Sequence, residues 1–105
     1  MTAPDHSRFP PAPTWLEINL GAVRRNTAAV LRHTGQPLMA VVKADAYGLG
    51  AAAISRAALE AGAAWLAVAR CSEGLELRRA GIQAPILVFG MAVPAEVDVA
   101  LANNL

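Results

Sequence analysis

The sequence predicts an α/β fold of repeated βα units, on three observations. Four apolar runs of strand length occupy residues 15–20, 38–43, 65–69 and 85–89. Segments with helical spacing lie between them. Gly35, Gly62 and Gly81 each close such a segment shortly before the next apolar run, where a left-handed helix cap takes glycine. The two middle runs are apolar on both faces, as in parallel strands covered by helices.

Each helical segment has its own reason. Residues 19–32 carry Val23, Val30 and Leu31, with Arg24, Arg25 and Arg32 elsewhere on the surface. Residues 51–61 place Ile54, Ala57, Ala58 and Ala61 at i, i+3, i+4 and i+7, a single helical stripe. Residues 72–80 are led by Glu73 and Glu76 and closed by Arg78 and Arg79, a charge order that suits the helix dipole. Residues 95–102 can start a fourth helix, with Pro94 close to its first turn. The order β-α-β-α-β-α-β-α with right-handed crossovers fits an open doubly wound sheet or a (β/α)8 barrel. Four units make half of such a barrel, and whole barrels run to about 250 residues. At 105 residues the chain is expected to be a piece of something larger.

Composition narrows the function classes. Hydrophobic residues make up 55% and mean hydropathy is +0.38, enough for a packed core. Nine Lys and Arg against eight Asp and Glu leave a net +1 with both signs scattered. No basic stripe invites nucleic acid or an anionic membrane. The single cysteine, Cys71, excludes an internal disulfide framework and fits a reducing compartment. The longest apolar stretches, 61–69 and 84–93, are too short to span a bilayer. Residues 1–13, with four prolines and no apolar core, read as a flexible arm rather than a signal peptide. Residues 14–105 form the folded part, and the expected location is cytoplasmic.

Lys43 is the residue that needs explaining. It ends the run Leu38-Met39-Ala40-Val41-Val42 and shares a strand face with Met39 and Val41. In barrels and open α/β sheets alike, sites lie at the C-terminal strand ends. An amine partly withdrawn from water there is a usable nucleophile or proton-transfer group, and imine formation with an aldehyde is the obvious chemistry. The plainer alternative is a lysine that ends a strand and reaches into solvent, with Asp45 as a weak salt-bridge partner. Gly48-Leu49-Gly50 could let backbone N–H groups approach a phosphate, or simply make a tight strand-to-helix turn. Tyr47 could pack on that turn with its hydroxyl outward.

Other candidates are weaker. His6 lies in the arm and His33 near a helix end, and neither neighbours Cys71, so no metal-ligand spacing exists. Cys71 reads as a small buried apolar residue and Arg70 as a surface cation. No G-x-S-x-G elbow, P-loop or dinucleotide fingerprint is present.

The segment Met39-Ala40-Val41-Val42-Lys43-Ala44-Asp45-Ala46-Tyr47-Gly48-Leu49-Gly50 resembles the pyridoxal-phosphate attachment segment of bacterial alanine racemases. Thr14-Trp15-Leu16-Glu17-Ile18-Asn19-Leu20 is similar to that family's opening strand. Further stretches agree in order: Ala58-Leu59-Glu60-Ala61-Gly62-Ala63, Glu73-Gly74-Leu75-Glu76-Leu77-Arg78 and Ala84-Pro85-Ile86-Leu87-Val88-Phe89-Gly90. Leu49 stands where the family most often has histidine.

The resemblance implies the first four βα units, half of a (β/α)8 TIM-type barrel, with parallel strands and helices outside. It implies a racemase that interconverts L-alanine and D-alanine and supplies D-alanine for peptidoglycan. Pyridoxal 5'-phosphate would be held as a covalent imine on Lys43, with Tyr47 lining its pocket. The freed lysine would serve as base on one substrate face. A tyrosine of a partner subunit would serve the other, in a homodimer. The second base and most phosphate-binding loops would lie beyond Leu105, so this chain alone is expected to be inactive. Two other readings are a non-catalytic pyridoxal-phosphate carrier on a related barrel and an obligate half that pairs with another chain. Carriers usually lack the continuation Ala44-Asp45-Ala46-Tyr47-Gly48.

Overall fold

Asn19 sets where the first helix begins. Its side-chain oxygen accepts the N–H of Ala22 at 2.9 Å, capping α1 (Leu20–Thr34), which ends at the left-handed Gly35. The computed structural model describes residues 13–105; His6 and nearly all of the 1–13 arm lie outside them. Three strands follow α1: β1 (Met39–Val41), β2 (Trp65–Val68) and β3 (Ile86–Val88). They form one parallel sheet in the order β1-β2-β3, with Met39 opposite Trp65 and Leu66 opposite Ile86. A one-turn element, α2 (Lys43–Tyr47), leaves β1, and α3 (Ala51–Glu60), α4 (Cys71–Arg79) and α5 (Pro94–Ala102) complete the chain order.

The helix expectations hold to within a few residues. Most of the predicted stripe of α3 is packed: Ala57 and Ala58 are buried and Ile54 packs against the core, while Ala61 lies past the helix as its cap and Ser55, off the stripe, is fully buried. Gly62 and Gly81 have positive φ just past the ends of α3 and α4, like Gly35 after α1. On α1 the inward positions are Val23, Thr27 and Leu31; Val30 faces water, one position off the stripe.

The first apolar run departs from expectation. Residues 15–20 are not a strand of the sheet, so three strands rather than four are paired among the described residues. Asn19 and Leu20 are taken by the cap and first turn of α1. What remains is the short stretch Trp15-Leu16-Glu17-Ile18, whose apolar side chains Trp15, Leu16 and Ile18 are exposed. Both faces of β2, by contrast, are apolar, and it sits in the middle of the sheet.

Cover on the sheet is one-sided. Leu66, Val68, Ile86 and Val42 face a core completed by Leu77 of α4, Ile82 and Ala46, with Ile54 and Leu59 of α3 packed on it. Burying such side chains contributes roughly 1.5–3 kcal/mol each. Strand alternation sends Met39, Val41, Trp65 and Leu87 to the opposite face, where each stays 42–44% exposed. α1 packs on α3, helped by the Arg24–Glu60 ion pair at 2.7 Å. Arg78 of α4 donates to the carbonyls of Ile82, Ala84, Asn103 and Asn104, fastening the segment before β3 and the residues after α5 to one guanidinium.

Candidate active site at the strand ends

The residues following β1 take a path that alanine and tyrosine rarely follow. Ala44, Asp45, Ala46 and Tyr47 all have φ between 51° and 59°, and Gly48 continues at 85°. The chain makes a left-handed turn immediately after Lys43. Each non-glycine residue in that region costs roughly 1–2 kcal/mol, so the turn exists only because its surroundings hold it.

Several contacts do so. Ala46 is buried against the core and donates its N–H to Val42. Gly48 donates to the carbonyl of Ala44, Leu49 to that of Ala46 and Gly50 to that of Asp45. The Asp45 carboxylate accepts the N–H of Ala51 at 2.8 Å, at the start of α3. These bonds revise two expectations. Asp45 serves α3 and not Lys43; the ion pair among the described residues is Arg24–Glu60. The N–H groups of Gly48, Leu49 and Gly50 are committed to the turn, so this pair of glycines shapes the chain and offers no phosphate cradle.

Glu73 gives a further fixing. One carboxylate oxygen accepts the N–H groups of Ala69 (3.1 Å) and Arg70 (2.9 Å), closing the first turn of α4; the other accepts the N–H of Ala44 at 2.6 Å. The strand ends of β1 and β2 are thereby tied to one side chain. In the sequence Glu73 is legible only as an acid in the first turn of a helix.

Lys43 stands at the C-terminal end of β1, on the uncovered side of the sheet. Its Nζ lies 5.6 Å from the centroid of the Phe89 ring, which follows β3, within cation–π range. It is half-buried and is the only lysine in the sequence. Tyr47 is 63% exposed at the same rim, its ring not packed down on the turn. Gly90 brings the next strand end close, with its N–H on the Ala69 carbonyl at 2.9 Å. Cys71 is buried as expected, and Arg70 and His33 are exposed. No cluster of three or more His, Cys, Asp or Glu able to hold a metal occurs among the described residues.

The rim therefore presents one primary amine over an aromatic ring, with a phenol on the adjoining turn and an apolar floor of Val41, Ala67 and Leu87. A lysine so placed is chemically suited to bond an aldehyde and to move a proton at an adjacent carbon. These residues fit a pyridoxal-type coenzyme: the amine is free of carboxylate partners in the described residues and opens toward the uncovered face.

This fold and rim define a βα protein with a lysine site at the strand ends. The chain belongs to the family described as "Alanine racemase, N-terminal domain", whose sequence model matches residues 18–105. It is 52% identical over 94 residues to alanine racemase of Symbiobacterium thermophilum, covering 89% of this chain and 25% of that protein. It is 49% identical over 98 residues to alanine racemase 1 of Bacillus subtilis, covering 86% and 25%. Among solved structures, alanine racemase of Bacillus anthracis, crystallised with bound L-Ala-P, superposes with a TM-score of 0.81 at 41% identity, over 89% of this chain and 26% of that one. The enzyme of Enterococcus faecalis, "E.faecalis", gives 0.80 at 37% identity over 84% and 24%. The chain spans about a quarter of the length of these relatives.

Proposed function

We propose that this chain is the lysine-bearing part of a pyridoxal-phosphate-dependent racemase that interconverts L-alanine and D-alanine. The observation that carries the reading is the position of Lys43: the only lysine, near a parallel strand's C-terminal end, on the sheet face that no described helix covers. One-sided cover suits an arc of a (β/α)8 barrel, whose interior would be the face bearing Met39, Val41, Trp65 and Leu87; a doubly wound sheet would have helices on both faces. Residues 14–105 would be that partial barrel domain, preceded by the arm 1–13.

When bound, pyridoxal phosphate supplies an aldehyde for an amine and a ring that delocalises charge from the substrate α-carbon. Lys43 would hold it through Nζ and then take or return the α-proton on one substrate face. Phe89 sits beneath that amine and limits where it can point. Tyr47 would line the coenzyme pocket from the adjoining turn. Racemisation needs a second proton-transfer group opposite Lys43, and the proposed source is a tyrosine of a partner subunit in a homodimer. The chain by itself is therefore expected to be inactive. The proposed location is cytoplasmic; no described helix is long and apolar enough to cross a membrane.

Titration with pyridoxal phosphate, followed by the absorbance of the lysine-bound coenzyme, tests this. Wild-type chain should saturate at one equivalent and Lys43→Ala should give no such band. Equal saturation of both would overturn the reading.

A further inference from the structure

The tie from Glu73 to Ala44 joins a residue of α4 to the backbone immediately after Lys43, across 29 positions of sequence. The same carboxylate caps α4 through Ala69 and Arg70. It thus accepts three backbone N–H groups, and the shortest of the three bonds serves the strained turn. We infer that Glu73 is a positioning residue for Lys43: its carboxylate holds the left-handed turn, and through it sets where the lysine amine stands relative to a bound aldehyde coenzyme. This rests on the reading of Lys43 given above.

The physical argument is one of acceptors. A carboxylate has two accepting oxygens, and here both are used. An amide in its place has one. Glu73→Gln can cap α4 or accept from Ala44, but its NH2 group would meet a donor at whichever end it faces. Capping satisfies two N–H groups and the other choice only one, so the amide oxygen should stay with Ala69 and Arg70. The bond to the turn is then lost while the helix start survives. Charge-assisted bonds of this kind are about twice as strong as neutral ones. With the bond gone, the left-handed residues have one fewer restraint and Lys43 samples more directions.

The test uses the full chain in three forms: wild type, Glu73→Gln and Arg78→Ala. Arg78 fastens the other end of α4 and touches nothing at the rim, so it controls for general loss of stability. Without coenzyme, amide hydrogen exchange at Ala44 should be about tenfold faster in Glu73→Gln than in wild type. Exchange at Ala69 and Arg70 should stay within about twofold, and Arg78→Ala should leave Ala44 at the wild-type rate under native conditions. With pyridoxal phosphate, the apparent affinity at Lys43 should fall about tenfold in Glu73→Gln and remain near wild type in Arg78→Ala.

Unchanged exchange at Ala44 would overturn the inference, as would equal loss of affinity in both variants. Faster exchange with unchanged affinity would also overturn it, since Glu73 would then hold the turn without placing the amine. If wild type binds no coenzyme at Lys43 while Ala44 is loosened as expected, the coenzyme reading fails. Positioning for that ligand fails with it, and only the structural tie remains.

Discussion

The Lys43 ammonium lies over the Phe89 ring, 5.6 Å from its centroid, so a residue two positions past β1 meets the residue following β3 across the end of β2. This contact joins the two outer strands of the described sheet at the rim. An exposed cation–π contact contributes about 0.5–1 kcal/mol, so it directs the side chain more than it stabilises the fold. Lys43→Met should therefore change unfolding free energy by less than about 1 kcal/mol while abolishing coenzyme attachment. Denaturant unfolding beside intact-mass analysis of borohydride-reduced protein checks both halves. A loss of several kcal/mol would make Lys43 a structural residue.

The left-handed turn predicts an inverted sign for glycine. Ala44 is exposed with φ 51°. Ala44→Gly should be neutral or stabilising by up to about 1 kcal/mol, since relief of the left-handed cost outweighs the added freedom of the unfolded chain. Ala53→Gly, at an exposed position in α3, should destabilise by about 1 kcal/mol. Parallel melts of the two variants read the signs, and destabilisation by Ala44→Gly would refute the strain argument.

Gly90 should tolerate no side chain. A Cβ there would stand 2.0 Å from the Ala69 carbonyl oxygen, a backbone atom that cannot turn aside. Gly90→Ala should cost at least about 2 kcal/mol and separate the ends of β2 and β3. Chemical denaturation gives the number; a wild-type midpoint would contradict the close approach.

Arg78 should matter far more to stability than a partly exposed arginine usually does. It donates to four carbonyls at 2.8–2.9 Å. Arg78→Ala leaves those acceptors to water or to nothing and should cost about 2–3 kcal/mol. Arg78→Lys should recover only part of this, because an ammonium lacks the planar fork. Equal stability of Arg78→Lys and wild type would show that charge alone suffices.

Much of the scaffold was legible because it rests on local rules. The Ile54, Ala57, Ala58 stripe follows from helical period, and positive φ at Gly35, Gly62 and Gly81 follows from helix ends. The place of Lys43 near the C-terminal end of β1 follows from the direction of parallel strands, but the expected strand position does not hold: β1 ends at Val41, Val42 leaves the extended region (ψ 26°) and Lys43 opens α2. The turn after it was not legible: alanine is the best right-handed helix former, and nothing in Ala44-Asp45-Ala46-Tyr47 announces the opposite hand. Glu73 was half legible, since its bonds to Ala69 and Arg70 are local while its bond to Ala44 is tertiary. The run at 15–20 looked like a strand because apolar residues dominate it, yet Asn19 commits its end to a helix cap. Asp45 looked like an ion-pair partner by proximity in sequence, but the turn points it at Ala51.

The most direct measurement of the central claim is the position of the covalent label. The chain is incubated with pyridoxal phosphate, reduced with borohydride, digested and mapped by mass spectrometry. The chain offers two primary amines, Lys43 and the N-terminal amine, which separates the outcomes cleanly. The account predicts one pyridoxyl group per chain, on the peptide containing Lys43 and absent from Lys43→Ala. Label confined to the N-terminus, or no label at all, would contradict it.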